Sequence, residues 1–191
     1  MYYENKVFEE LVFEGKQFEN IEFIECTFNN CHFENCKINS CLLIDCKFEN
    51  CKIINLDSKE SSVRELELRK STLIGINWSK LIYNGRLDQT ISFMKKNIIK
   101  YNVFMDMDFV KFSFNDNMIL DTTFENCNLR ESNFYGNELT NTQFSNCDLR
   151  KSDFRESFAY RINIDNNKLK GANFSFPEVL SLLDSLELKI D

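Results

Sequence analysis

The chain has 191 residues and a net charge of −7, with 43% hydrophobic and 28% charged residues. This length and composition fit one sizeable domain and argue against a disordered chain. A single histidine, His32, argues against a histidine-based metal site or catalytic triad, and the excess of negative charge argues against direct nucleic-acid binding. No apolar run reaches the ~18 residues that span a bilayer, and residues 1–6 lack the apolar core of a signal peptide. We therefore expect a cytoplasmic protein without membrane contact.

An apolar residue recurs at every fifth position along two long stretches, 3–53 and 104–154, and the second pattern resumes over 164–174. Fifteen of the 19 phenylalanines occupy these positions, here called centres. Over 104–154, neither the centres nor the positions two before them carry a charge. This spacing matches neither the 3.6-residue period of a helix nor the two-residue alternation of a strand. It predicts a chain that turns a corner every five residues, a solenoid with turns ~4.8 Å apart.

The repeated unit resembles that of the pentapeptide-repeat family, as in Cys-Thr-Phe-Asn-Asn (26–30) and Cys-Asn-Leu-Arg-Glu (127–131). The resemblance implies an all-β fold, a right-handed quadrilateral parallel β-helix over residues 1–174 with four pentapeptides per turn. Centres that are 20 residues apart then stack as core ladders. The expected ladder residues include Phe28, Phe48, Phe114, Phe134, Phe154 and Phe174.

All eight cysteines stand two positions before a centre. A five-residue step points successive thiols at different walls, so four of them cannot converge on one zinc ion. Disulfides would need an oxidising compartment. We therefore predict small apolar core residues, with no metal, cofactor or disulfide.

Residues 57–101 interrupt the pattern. The sequence predicts a polar turn at 57–62, a degenerate coil through Val63, Leu68, Leu73 and Trp78, and a one-residue shift between registers at Ile98 and Ile99. Residues 61–101 carry a net charge of +5, whereas the segments on either side carry −6 each. The basic residues there form either a partner-binding loop or a solvated face. They are Lys80, Arg86, Lys95, Lys96 and Lys100.

Residues 175–191 change character. Ser175 and Glu178 match a capping box, and Leu188 and Ile190 alternate with charges as in an edge strand. A short helix with one apolar stripe is predicted between them. This segment either caps the solenoid or pairs with its copy, and we expect a homodimer. The stripe consists of Val179, Leu182, Leu183 and Leu186.

The sequence has no glycine-rich phosphate loop and no Gly-x-Ser-x-Gly nucleophile motif, so catalysis is not expected. Within the family, the chain resembles the quinolone-resistance and microcin-immunity members. That resemblance implies a DNA-mimicking homodimer that binds a type II topoisomerase, DNA gyrase or topoisomerase IV, and protects it from quinolones or a peptide toxin. The alternative is a general protein-interaction or structural solenoid with another partner.

Overall fold

A computed structural model describes residues 1–81 and 90–186 of the chain. These residues form a parallel β-solenoid of about eight turns, which confirms the predicted fold class. Two 3₁₀ helices, Trp78–Leu81 and Glu178–Leu186, accompany the strands, and we call the second one the cap helix. In chain order the strands are Tyr2–Glu4 (β1), Val7–Glu9 (β2), Val12–Glu14 (β3), Gln17–Glu19 (β4), Glu22–Ile24 (β5), Thr27–Asn29 (β6), His32–Glu34 (β7), Lys37–Asn39 (β8), Leu42–Ile44 (β9), Lys47–Glu49 (β10), Lys52–Ile54 (β11), Asp57–Lys59 (β12), Ser62–Arg64 (β13), Leu66–Arg69 (β14), Thr72–Ile74 (β15), Ile91–Lys95 (β16), Ile98–Lys100 (β17), Val103–Met105 (β18), Met118–Leu120 (β19), Thr123–Glu125 (β20), Gln143–Ser145 (β21), Asp153–Phe154 (β22), Arg161–Ile162 (β23) and Asn173–Phe174 (β24).

Successive strands lie on four successive walls, and each strand pairs in parallel with the strand one turn later. Wall 1 contains β1, β5, β9 and β13; wall 2 contains β2, β6, β10, β14 and β16, with β22 and β24 farther along. Wall 3 contains β3, β7, β11, β15, β17 and β19; wall 4 contains β4, β8 and β12, followed by β18, β20, β21 and β23. Phe28 pairs with Phe48, which shows the twenty-residue turn.

The corner between walls follows from backbone geometry. The residue two positions after most centres has a positive φ, as in Asn20 (54°) and Asn50 (54°), and asparagine tolerates this conformation better than most residues. At Gly75 (φ 67°) a Cβ would lie 2.5 Å from Oδ1 of Asn55 in the preceding turn, so a larger residue there would displace the Asn55 side chain. Each five-residue unit therefore ends in a corner, and the centre side chain of the next unit again points inward.

The shift between the two registers lies earlier than the sequence predicted. Leu66 pairs with Ile91 but Glu67 pairs with Phe93, so Ser92 is the extra, bulged residue. Met94 is consequently buried opposite Leu68, whereas Ile98 points outward. The prediction at Ile98 and Ile99 was wrong because two adjacent isoleucines fit both registers equally well.

Two other local predictions are corrected. Residues 57–59 form β12 and pair with β8, with Ser58 at the centre opposite Ile38, so this segment is not a turn that leaves the solenoid. Near the C-terminus, Ile162 rather than Ile164 pairs with Phe144. The predicted turn at residues 83–85 lies outside the described residues.

The position two before the centre, here called the inner slot, is a hydrogen-bond donor site. The Cys51 thiol donates to the carbonyls of Phe28 (3.2 Å) and Glu49 (3.4 Å), which precede it by 23 and 2 residues. Ser61 Oγ makes the equivalent pair of bonds at 3.1 and 3.0 Å. Cysteine and serine in the inner slot therefore satisfy backbone carbonyls of two turns, and the cysteines do more than fill space, which corrects the sequence-based interpretation.

Three inner-slot asparagines form a buried ladder between turns. The backbone N–H of Asn97 donates to Oδ1 of Asn117 (2.8 Å), and that of Asn117 donates to Oδ1 of Asn137 (2.9 Å). Asn117 Nδ2 also donates to the carbonyl of Phe114 at 2.7 Å. These amides supply buried backbone groups with partners that an apolar side chain could not provide.

The core consists of stacked rings. On wall 2, Phe28 lies 4.6 Å from Phe48 between ring centroids. Farther along, Phe134 lies 4.7 Å from Phe114 and 4.8 Å from Phe154, and Phe154 lies 5.3 Å from Phe174, all nearly parallel. Rings of the opposite walls 2 and 4 meet edge to face, an arrangement that aromatic quadrupoles favour.

Candidate binding surfaces

The titratable groups do not assemble a catalytic or metal centre in the described part of the chain. No three histidine, cysteine, aspartate or glutamate residues there are placed to hold one ion. His32 points outward from β7, with its Nε2 3.2 Å from a Glu34 carboxylate oxygen. Neither residue adjoins an activated nucleophile that the structure describes.

The eight cysteines are free and buried. Burial raises the pKa of the Cys46 thiol to about 12 and that of Cys51 to about 11. These thiols are therefore neutral at pH 7 and lack the thiolate character that metal binding or nucleophilic attack requires.

The thiols give a first testable prediction. All eight should react slowly with a thiol reagent in the native protein and rapidly in denaturant. Unfolded thiols ionise from about pH 8.5, whereas Cys46 and Cys51 stay protonated in the native state up to about pH 11–12. The contribution of these two thiols to the free energy of unfolding should therefore be constant below pH 8 and fall between pH 9 and 11.

Urea titrations at pH 7, 9 and 10 measure this loss of stability. A double Cys46→Ser, Cys51→Ser variant keeps inner-slot donors and is the control, because it should lose less stability over the same interval. Identical pH profiles for the two proteins would contradict the assignment, as would rapid labelling of either native thiol.

The predicted basic loop is not a single surface. Lys95 ends β16 on wall 2, Lys96 follows at the corner, Lys100 ends β17 on wall 3, and Lys80 lies in the first 3₁₀ helix. Arg86 lies outside the described residues. The sequence placed these residues together because they are close along the chain, but the corners between strands separate them.

Two of these lysines pair with carboxylates of the next turn: Lys95 Nζ lies 3.3 Å from Asp116 Oδ2, and Lys100 Nζ lies 3.7 Å from Asp121 Oδ2. Further ion pairs lie nearby. Lys47 and Arg69 both contact Glu67, at 3.1 and 3.0 Å, and Lys70 contacts Glu49 at 2.9 Å. Although partial burial alone would raise the pKa of Glu67, Arg69 and Lys47 hold it below its usual value. The Arg69 guanidinium also lies 3.8 Å above the ring of Phe93, beside the Ser92 bulge.

The edge between walls 1 and 2 carries a column of carboxylates near the N-terminus. Glu25, Asp45 and Glu65 stand at equivalent corners of three successive turns, with φ between 51° and 54°. The turns lie ~4.8 Å apart, so negative charge repeats regularly along the axis. Arg64 approaches Asp45 at 3.8 Å, an exposed pair that water screens strongly.

The C-terminal segment packs on the last turn of its own chain. Leu182 contacts the core, Val179 and Leu183 are half-buried, and Leu186 is exposed. The predicted capping box is absent: Ser175 Oγ accepts the Glu156 N–H (3.1 Å), and a Glu178 carboxylate oxygen accepts the Ala159 N–H (2.5 Å). These side chains thus bind the preceding turn, and the predicted strand at 188–190 lies outside the described residues.

Sequence reasoning missed two exposed apolar patches. Phe176, two residues before the cap helix, is 78% exposed, and Leu180, on the outer side of the helix, is 47% exposed. On wall 3, Ile98 and Met118 are each 41% exposed and pair directly across adjacent turns. The five-residue pattern identifies only inward positions, so these outward residues gave no signal. No helix in the described ranges is both long and apolar enough to cross a membrane.

Comparison with known proteins finds a family model that matches part of the chain. The model described as "Pentapeptide repeat region" matches residues 97–174. A solved structure of a trypsin-treated variant of QnrB1, a plasmid-mediated fluoroquinolone resistance protein, is 17% identical, with 97% of this chain and 99% of that chain covered and a TM-score of 0.53. HetL from Nostoc sp. strain PCC 7120, involved in heterocyst differentiation regulation, is 10% identical over 90% of this chain and 86% of its own, with a TM-score of 0.48. No curated protein matches.

Proposed function

We propose that this chain, a member of the pentapeptide-repeat family, is a non-enzymatic DNA mimic that binds a type II topoisomerase, DNA gyrase or topoisomerase IV. In this role it protects the enzyme from quinolones or a peptide toxin. The carboxylate column of Glu25, Asp45 and Glu65 is the observation that carries the proposal. A regular line of negative charge on a rod presents to a basic surface what duplex DNA presents.

Ion pairs of the basic stretch support the same proposal. Glu49, Asp116 and Asp121 of the two acidic stretches pair with Lys70, Lys95 and Lys100, so three positive charges of residues 61–101 are matched by carboxylates from either side. The fold shared with QnrB1, a fluoroquinolone resistance protein, is consistent with a drug-protection role but does not identify the target. The target class therefore depends on the charge pattern and needs a direct test.

The test is a supercoiling assay with purified gyrase, and with topoisomerase IV in parallel, with and without a quinolone. We expect the protein to restore activity in the presence of the drug, or to compete with DNA, most strongly at low salt. A triple Glu25→Gln, Asp45→Asn, Glu65→Gln variant should lose at least tenfold in potency. The control, Glu125→Gln, Glu138→Gln, Asp165→Asn, removes the same charge elsewhere and should stay near wild type. No effect on either enzyme at any salt concentration would overturn the proposal.

We also propose a homodimer through the outer side of the cap helix, which would double the length of the rod. Leu180 and Phe176 are exposed there, whereas Leu182 packs on its own chain. A large exposed apolar residue beside a solenoid end is typical of an interface.

The proposed dimer predicts that substitutions on the two sides of the cap helix have different effects. Leu180→Glu should give a monomer by sedimentation at tens of micromolar, and circular dichroism should show that it retains its β-structure. Leu182→Glu should instead destabilise the last turn, because it buries a charge against the core. A monomeric wild-type protein, or a dimer that persists in Leu180→Glu, would disprove the assignment of this surface.

A second candidate function is a general interaction solenoid, which the wall 3 patch favours. Ile98 and Met118 form adjacent exposed apolar residues, and Tyr101 is exposed at the neighbouring corner. Such a patch suits a partner that binds by apolar burial, and this binding would survive high salt. Salt-resistant binding that Met118→Asp abolishes, together with inactivity towards topoisomerases, would favour this function.

A further inference from the structure

The edge that carries the carboxylate column changes the sign of its charge towards the C-terminus. Residues 107–110 follow β18 of wall 4 and precede wall 2, so they return the chain to wall 1. From there, bridges between successive turns continue wall 1 to Lys168. In three successive turns the residue after the wall 1 centre is a cation, and we call this set the cation column. It consists of Arg130, Arg150 and Lys170.

The cation column repeats at the spacing of the turns. The N–H of Lys151 donates to the carbonyl of Lys170 at 3.2 Å, so Arg150 and Lys170 lie in adjacent turns, ~4.8 Å apart. Arg130 and Lys170 are exposed, and no ion pair within the described ranges involves either of them. Arg150 Nε lies 2.7 Å from Asp148 Oδ1, which leaves the second lone pairs of that carboxylate and part of the guanidinium to solvent.

The cation column and the carboxylate column lie along one edge. In each repeat the cation follows the centre by one residue, whereas the carboxylate follows it by two. Both columns advance by one turn every twenty residues. In an antiparallel copy the order of the turns is reversed, so each step outward along one column matches a step outward along the other. Three facing pairs therefore share one midpoint: Glu65 with Arg130, Asp45 with Arg150, and Glu25 with Lys170.

The neighbouring residues fit the same arrangement. A two-fold axis through the shared midpoint exchanges the positions one and two after the centre. Arg64 then faces Glu131, which is a fourth pair of opposite charges, and Lys151 faces the uncharged Ile44. Among the described residues at these two positions, no like charges face each other across the axis.

The spacing favours a second copy over other partners. An extended strand presents side chains on one face every ~6.6–6.8 Å, and the phosphates of a B-DNA strand advance ~3.4 Å along the axis. Every third residue of an α-helix advances ~4.5 Å but turns away by ~60° at each step. Only another turn of the same solenoid repeats at ~4.8 Å in a straight line, so it can meet all three cations.

We propose that two copies of the chain associate side by side and antiparallel along this edge, each carboxylate column against the cation column of the other copy. Exposed ion pairs contribute little individually and each chain carries a net charge of −7, so the association should be weak and need a high protein concentration. It differs from the cap helix contact, which joins the C-terminal ends. It would also cover the carboxylate column and compete with a topoisomerase, and this consequence alone rests on the proposed function.

Disulfide cross-linking of the full chain tests the register without any topoisomerase. Ile44→Cys combined with Lys151→Cys places thiols opposite each other and removes none of the four ion pairs. The native thiols are buried and free, so the added ones should oxidise first. Mild oxidation should give a covalent dimer in at least fivefold higher yield than Ile44→Cys combined with Lys111→Cys, which lies two turns, ~10 Å, out of register.

Charge reversal in the same cross-linking background tests the pairing. Arg150→Glu with Lys170→Glu should lower the yield at least tenfold, and so should Glu25→Lys with Asp45→Lys, because like charges then face each other. An equimolar mixture of these two variants should restore the yield, since every facing pair again carries opposite charges.

A matched control separates this contact from a general effect of net charge. Lys37→Glu with Lys59→Glu makes the same change of charge on wall 4 and should cross-link like the parent. Circular dichroism should show that all variants retain their β-structure.

Two results would overturn the inference: equal yields in and out of register, or a mixture of the charge-reversed variants that fails to restore the cross-link. The cation column would then serve a different anionic partner. A chain that cross-links as expected but has no effect on either topoisomerase would overturn only the topoisomerase proposal, so the two failures are distinguishable.

Discussion

Replacing Phe134 by alanine should lower the free energy of unfolding by about 3–5 kcal/mol. The ring is fully buried between Phe114 and Phe154, with centroid distances of 4.7 and 4.8 Å, and its neighbours are fixed by strand pairing with adjacent turns. They cannot close the space, so both the lost burial and the remaining cavity contribute to the cost.

Chemical denaturation with a spectroscopic readout of β-structure measures the effect. Tyr135→Ala is the matched control, because the adjacent aromatic side chain is exposed on wall 2 and should cost less than 1 kcal/mol. A loss for Phe134→Ala as small as that of the control would show that the ladder register is wrong.

Replacing Asn117 by leucine should cost roughly 2–6 kcal/mol, since at least two buried backbone groups lose their partner at about 1–3 kcal/mol each. These groups are the N–H of Asn97 and the carbonyl of Phe114. The leucine side chain has similar size, so the effect isolates hydrogen bonding from volume.

Asn117→Ser supplies the conservative comparison. Serine already occupies the same slot at Ser71, where its Oγ accepts the Cys51 N–H at 3.0 Å. We expect this variant to recover about half of the stability that leucine loses, measured by the same denaturation. A leucine variant as stable as wild type would contradict the role assigned to the asparagine ladder.

The fold was predictable because its signal is local and repeated. Each centre obeys the same rule, so errors at individual positions such as Ser58 did not obscure the period. The bulge at Ser92 was not predictable in this way, since it depends on which of several apolar residues is buried. The capping box is absent for a similar reason. Ser175 and Glu178 accept hydrogen bonds from backbone N–H groups 19 residues earlier, whereas the motif assumes partners within the helix.

The candidate surfaces were less predictable than the core. Lys80, Lys95 and Lys100 are close along the sequence, which suggested one surface. The chain turns corners between them, so the three residues lie on different walls. Outward apolar residues such as Leu180 belong to no repeating pattern and became visible only from their exposure.

The nearly constant sequence separation of paired residues has a mechanical consequence. Each turn contacts only its neighbours, through residues about 20 apart, or 26 where the chain passes the Ser92 bulge. Tension applied to the two termini passes through every turn in series, but a terminal turn is paired on one side only, so it should detach before the interior turns do. Stretching a single molecule should extend it in a staircase of small, similar steps, with a longer step where the 26-residue turn releases.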